Sequence, residues 1–263
     1  MPSAQDYSPI LIAAPTVRSG STLLQRLFCS SSNSLIYGET VAHDIDLAIN
    51  LYVSKKLYMG QGGDWRIEQM DKVLSGDVND WIADLTPYPT EYLKALEASI
   101  WSNLSFLENF AAEKGRTIWG VKLPGWNPFQ LRNTLDTLPN AKLVYLIRDL
   151  KSCVQSAKRK DMIKTLPEIE NFALQWKNSI EAVTHKINHP KLILKYEDLI
   201  HSPDGSLRYL EDFTGIKHIN KSILEEKINN FARFEGDAVY QSPSKLTEQE
   251  EELIANYNQN TSY

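Results

Sequence analysis

The chain has 263 residues, of which 42% are hydrophobic, 23% charged and 10% aromatic, and a net charge of −5 at neutral pH. These proportions exclude collagen-like, low-complexity and wholly disordered classes, and the acidic balance argues against a protein that coats nucleic acid. The length suits one domain over 1–263, with room for an insertion.

The two cysteines, Cys29 and Cys153, form no CxxC pair and no disulfide framework, which fits a reducing compartment. No Lys or Arg occurs in the first 17 residues, so no secretory n-region precedes the apolar run Ile10–Ala14. No later run approaches the ~20 apolar residues of a membrane span. The chain reads as cytoplasmic, with no membrane partner.

In chain order, short β-type runs fall at 10–14, 35–37, 117–121, 142–147 and 192–195. Helical patterns at 21–30, 43–51, 128–138 and 150–160 lie between them. Strands alternating with helices predict an α/β fold, a three-layer sandwich around a central parallel sheet. The uninterrupted Leu143-Val144-Tyr145-Leu146-Ile147 is what a strand covered on both faces requires. The stretch 52–90 breaks the rhythm with Gly60, Gly62, Gly63, Gly76, Pro87 and Pro89, and is expected to be an inserted lid. Helices are then expected at 91–114 and 247–257, the second capped by Thr247 with Glu250 in the capping-box position.

Strand 10–14 runs into Pro15-Thr16-Val17-Arg18-Ser19-Gly20-Ser21-Thr22-Leu23 and then a helix. A tight loop at a helix start aims successive backbone N–H groups at one point, where the helix dipole also favours negative charge. Gly20 permits close approach, Ser19, Ser21 and Thr22 add hydroxyls, and Arg18 adds a planar cation suited to phosphate or sulfate. It is not a Walker A loop, because no Lys follows Gly20, and the chain has no GxSxG nucleophile elbow.

Strand 142–147 ends in Arg148-Asp149, and Ser156 lies about two helical turns further on. From a strand's carboxyl end Arg148 can enter the crevice where open α/β sheets bind ligands. The segment 148–160 carries Arg148, Lys151, Lys158, Arg159 and Lys160 against one acid, Asp149; a solvated helix face accounts for part of that run.

Together these motifs resemble those of the PAPS-dependent sulfotransferases, which transfer a sulfuryl group from 3′-phosphoadenosine 5′-phosphosulfate. Residues 15–22 are similar to that family's 5′-phosphosulfate loop, and Leu146-Ile147-Arg148-Asp149 with Ser156 to its 3′-phosphate segment. Leu194-Lys195-Tyr196-Glu197-Asp198-Leu199 is similar to a third segment, and the three stand in family order. The resemblance implies a P-loop-kinase-like fold and no metal. It implies that Arg18, Ser19, Gly20, Ser21, Thr22 and Leu23 hold the 5′-phosphosulfate, and Arg148 and Ser156 the 3′-phosphate. Tyr196 would lie near the adenine, and Lys245 matches a late basic residue that closes over the nucleotide. Lys122 matches a strand-end lysine that neutralises charge on the bridging oxygen, with Arg18 as a second catalytic cation.

The cytosolic branch places a histidine two residues after that lysine, where this chain has Pro124. Glu39, in Gly38-Glu39-Thr40, instead resembles the base of tyrosylprotein and bacterial carbohydrate sulfotransferases. His43 and Asp44 are the reserves. His185 and His189 are spaced i, i+4, but no third ligand accompanies them, so metal binding is not expected.

The expected acceptor is a small molecule offering a hydroxyl or an amine, a polar or guanidinium-bearing secondary metabolite among the candidates, with carbohydrate and peptide tyrosine left open. Tyr52, Tyr58, Trp65, Trp81, Tyr88 and Trp126 either line its site or belong to the core. Asp44, Asp46, Asp64, Asp80 and Asp84 suit a cationic molecule or, equally, a solvated acidic surface. Two other classes stay open: a P-loop nucleotide kinase, disfavoured by the missing lysine, and a module that binds a nucleotide or sulfated ligand without turnover.

Overall fold

Five parallel strands, β1 (Ile10–Ala14), β2 (Ser34–Tyr37), β3 (Ile118–Pro124), β4 (Lys142–Ile147) and β5 (Lys191–Lys195), form one sheet in the order β2-β3-β1-β4-β5. The structure is a computed structural model that describes residues 4–60, 63–77, 85–226, 228 and 245–259. Strand β1 holds the centre, with Ile12 in register with Lys122 on one side and Val144 on the other. All five of its residues are buried, as a strand paired on both edges and covered on both faces must be.

Side chains alternate across the sheet, and the core divides accordingly. Leu11, Ala13, Val121, Leu123, Leu143 and Tyr145 face one layer, made by α2 (Glu39–Met59), α4 (Pro89–Glu113), α5 (Pro128–Thr137), α6 (Leu150–Arg159), α7 (Leu166–Glu181) and α10 (Glu248–Gln259). Ile10, Ile12, Val144 and Leu146 face the other, made by α1 (Ser21–Ser30), α8 (Tyr196–His201) and α9 (Pro203–Thr214). The expected three-layer α/β sandwich is present.

Several boundaries differ from expectation. Helix α2 starts at Glu39 rather than 43, because Gly38 is extended and serves as its N-cap. It then runs on to Met59, and α3 (Gly63–Leu74) follows, so the described part of the expected lid is helical. Strand β3 extends three residues further, to Pro124, which pairs with Ala14. Helices α7 and α9 were not expected. Thr165 and Glu168 close a capping box at the start of α7, with Thr165 N donating to Glu168 Oε2 at 2.8 Å. The box expected for α10 is there too: Thr247 N donates to Glu250 Oε2 at 2.8 Å, and Glu250 N to Thr247 Oγ1 at 3.3 Å.

Candidate active site

The loop after β1 sits at the centre of the sheet's carboxyl edge. Two left-handed residues shape it, Arg18 at φ 68° and Gly20 at φ 90°. Gly20 is the N-cap of α1 and no side chain caps that helix, so its first-turn amides are available to an anion at the positive end of the helix dipole. Gly20 also allows a close approach, because a Cβ there would run into the ring of Tyr196, the first residue of α8. Ser19 is fully buried, and its hydroxyl donates to Thr16 O at 2.9 Å. That hydroxyl therefore holds the loop's shape and is not turned to a ligand.

Two contacts tie the loop to the end of β4 and to α6. Arg148 Nη1 donates to Arg18 O at 3.1 Å, and Arg18 Nε donates to Ser156 Oγ at 3.1 Å. The Arg148 guanidinium lies 4.4 Å from the centre of the Tyr196 ring, which stacks between it and the Gly20 turn. Asp149 caps α6 by accepting from Ser152 N at 2.8 Å, which turns its carboxylate to the backbone and away from an ion pair.

The basic run on α6 is sorted by the C-terminal helix. Lys158 pairs with Glu250 at 2.5 Å and Lys151 with Glu251 at 2.6 Å, both on α10. Arg148 and Arg159 keep buried Nε atoms with no hydrogen-bond partner, and among the described residues neither has an ion pair. The Arg18 guanidinium is held below its ordinary pKa, first by burial and then by the charges of Arg148 and Arg159. The Glu39 carboxylate opposes that lowering only in part, so Arg148 and Arg159 converge on Arg18 as three guanidinium groups in excess of the nearby negative charge, the electrostatics of a site built for a polyanion. Arg159 is not among the site residues expected from sequence; its i, i+3 relation to Ser156 is the signal that marks it.

On the other side of β1, Lys122 is buried within β3. Its ammonium pairs with the Glu39 carboxylate at the start of α2 and donates to Thr22 Oγ1 at 3.4 Å. Loop, strand lysine and helix-start carboxylate therefore meet at one place. Glu39 has about half its side chain exposed, so one edge of the pair is open to an incoming molecule.

Among the described residues, no other expected side chain forms a hydrogen bond or ion pair with this centre. His43 and Asp44 are exposed on α2, and Lys245 is exposed just ahead of α10. Trp126 is core: its indole donates to the buried Asp46 carboxylate at 2.7 Å. Tyr58, Trp65 and Tyr88 are each about half exposed, and Tyr88 donates to Asp71 at 3.0 Å. Asp80, Trp81 and Asp84 lie outside the described residues, as does the side chain of Asp64. His189 Nε2 lies 2.7 Å from Ala141 O, a backbone contact. No group of three or more potential metal ligands occurs among the described residues, and no described helix is long and apolar enough to cross a membrane.

The fold has solved counterparts. A sulfotransferase domain from the curacin biosynthetic pathway aligns with a TM-score of 0.55 at 16% identity, covering 96% of this chain and 98% of that one. A sulfotransferase domain from the Synechococcus PCC 7002 olefin synthase aligns with a TM-score of 0.50 at 15% identity, covering 98% of each. No curated protein matches by sequence. The model of the sulfotransferase family matches residues 9–220, a span that runs from the anion loop through Lys122, Arg148 and Ser156 to beyond α9. The chain belongs to the sulfotransferase family.

Proposed function

We propose that this protein is a PAPS-dependent sulfotransferase, moving a sulfuryl group from 3′-phosphoadenosine 5′-phosphosulfate to a hydroxyl or amine of a small-molecule acceptor. The observation that carries the reading is the convergence of Arg148 and Arg159, neither of them ion-paired among the described residues, on Arg18, beside an uncapped helix N-terminus. Two separated anion sites, one at the α1 amides and one at the arginines and Ser156, suit a nucleotide with a 5′-phosphosulfate and a 3′-phosphate.

The donor supplies the sulfuryl group; the chain's residues bind it, hold charge and move a proton. The α1 amides from Gly20 to Leu23, with Thr22, fix the 5′ end. Arg148, Ser156 and Arg159 fix the 3′ end, and Tyr196 supports the nucleotide between them. Lys245, on the segment leading to α10, approaches from the rim. Lys122 and Arg18 neutralise charge as the bridging oxygen leaves, an interaction strongest in the transition state. Glu39 accepts the acceptor's proton from its half-exposed position beside Lys122. A cytoplasmic setting fits the two cysteines, both of which are free.

Titration calorimetry with adenosine 3′,5′-bisphosphate against ATP tests the donor. Preference for the bisphosphate supports the reading, and preference for ATP replaces it with the kinase. Turnover of ³⁵S-labelled donor over a panel of acceptors tests transfer. Tight bisphosphate binding with no transfer to any member leaves a binding module.

A further inference from the structure

The pairing of β4 with β5 ends where Ile147 lies in register with Lys195, the last residue of β5. Beyond that point the sheet no longer serves the backbone, and the peptide unit joining Arg148 to Asp149 needs partners of another kind. Side chains supply both. Its carbonyl, Arg148 O, accepts from the indole of the fully buried Trp176 on α7 at 3.0 Å. Its amide, Asp149 N, donates to Glu197 Oε1 on α8 at 3.1 Å. One peptide plane is thus gripped from opposite edges, and that plane carries Arg148 out of the sheet.

The other end of Arg148 is held as well. Nη1 donates to Arg18 O, and the Tyr196 ring lies against the guanidinium face, while the buried Nε has no partner. Tyr196 and Glu197 are consecutive, so the first turn of α8 holds the same arginine twice, by a ring at the guanidinium and by a carboxylate at the peptide. A charged acceptor makes the stronger bond to an amide. Because that carboxylate is engaged by the backbone, no ion pair joins Glu197 to Arg148 among the described residues, and the guanidinium charge stays available to a ligand. Such fixing matters, since a displacement of about 1 Å is enough to spoil a positioned contact.

We infer that Glu197 is a positioning residue that sets the discrimination for a nucleotide 3′-phosphate. It acts through Arg148: by accepting from the Asp149 amide it fixes the peptide from which the guanidinium is aimed, and it touches no part of the ligand. The inference rests on the proposed donor and adds the residue that orders the 3′ end of its site before binding. An uncharged acceptor at the same place, such as a carboxamide oxygen, can take the same N–H. A shorter or absent side chain cannot.

The test is titration calorimetry of the full chain with adenosine 3′,5′-bisphosphate and with 5′-AMP, which lacks the 3′-phosphate. Glu197→Ala is expected to weaken the bisphosphate at least fivefold and to leave 5′-AMP within twofold of wild type. Glu197→Gln should return the bisphosphate to within about twofold. In an Arg148→Ala background, Glu197→Ala should cost less than twofold more, because the group it aims is gone. Should Glu197→Ala fail to fold, Glu197→Asp, which keeps the charge but draws it back by one methylene, takes its place with the same expectations. Equal weakening of both nucleotides would reduce Glu197 to a structural residue and overturn the inference. So would a bisphosphate affinity that Glu197→Ala leaves unmoved, a Gln variant no better than Ala, or a full loss that persists without Arg148. A wild-type chain that binds the two nucleotides alike sinks the donor reading and this inference with it, whereas a preference that survives Glu197→Ala sinks the inference alone.

Discussion

The Glu39 carboxylate and the Lys122 ammonium, 83 residues apart in sequence, are ion-paired where the start of α2 meets β3. Lys122 has 5% of its side chain exposed and Glu39 49%, so the cation is fixed and the carboxylate is the partner that can turn. Glu39→Gln keeps shape and hydrogen bonding but cannot accept a proton. Its kcat is expected to fall ~10²–10⁴-fold while affinity for adenosine 3′,5′-bisphosphate stays within twofold. Rapid-quench turnover with the best acceptor of the labelled-donor panel checks this; a variant retaining a third of wild-type kcat moves the base to His43 or Asp44.

Lys122→Ala removes a charge whose partner develops only as the sulfuryl group leaves. Here kcat drops roughly 10²-fold and donor KM changes less. Equal losses in ground-state binding and turnover would make Lys122 a binding residue only.

Arg159 extends the arginine pair named from sequence. Arg159→Met and Arg148→Ala are each expected to weaken adenosine 3′,5′-bisphosphate by about 1.5–3 kcal/mol, the worth of a charge-assisted hydrogen bond. Binding of 5′-AMP, which lacks the 3′-phosphate, should change far less. A variant that weakens both nucleotides equally refutes a 3′-phosphate contact.

Gly20→Ala meets two obstacles, a left-handed backbone at φ 90° and the Tyr196 ring. The backbone strain is about 1–2 kcal/mol, and the collision adds to it. A lowered melting midpoint with weakened nucleotide binding is expected. Combining it with Tyr196→Ala should restore only part of the midpoint, since the ring is removed but the dihedral remains. Full restoration would show the strain to be steric alone.

Asp46 gives a pH signature. Burial holds its folded carboxyl above the ordinary aspartate range, so the folded state takes up the proton before the unfolded one does. Its contribution to stability therefore improves as the pH falls from neutrality toward the ordinary aspartate range. Relative to wild type, Asp46→Asn should be most stable near neutrality and lose that advantage in mild acid. Parallel melting curves of the two proteins between pH 7 and 4.5, with a constant difference, would contradict the burial argument.

The sheet was legible because buried parallel strands write themselves as apolar runs; β4 appears in the sequence as Lys142–Ile147 and in the structure with the same bounds. The anion loop was legible for a similar reason, since Gly20 and its neighbours act through local backbone geometry. Helix α2 was read short, because Gly38 gives no conventional side-chain cap to mark its start. The capping box of α7, Thr165 with Glu168, stood in the sequence, but it was not read there. Arg159 could not be separated from Lys151 and Lys158 by sequence. The distinction arises only when Glu250 and Glu251, about ninety to a hundred residues away, take the two lysines out of play.

Strand β1 is paired along both edges, and its residues are no more than 1% exposed, whereas Leu47 and Leu57 on α2 and Phe129 on α5 are more than 60% exposed. A substitution under the anion loop disturbs the whole sheet, while one on the outer faces of α2 or α5 disturbs little. Mutational tolerance is thus distributed unevenly. Variation can accumulate on the flank without eroding the centre, which makes the molecule a scaffold whose outer surface is free to drift in descendants while the anion loop stays inherited.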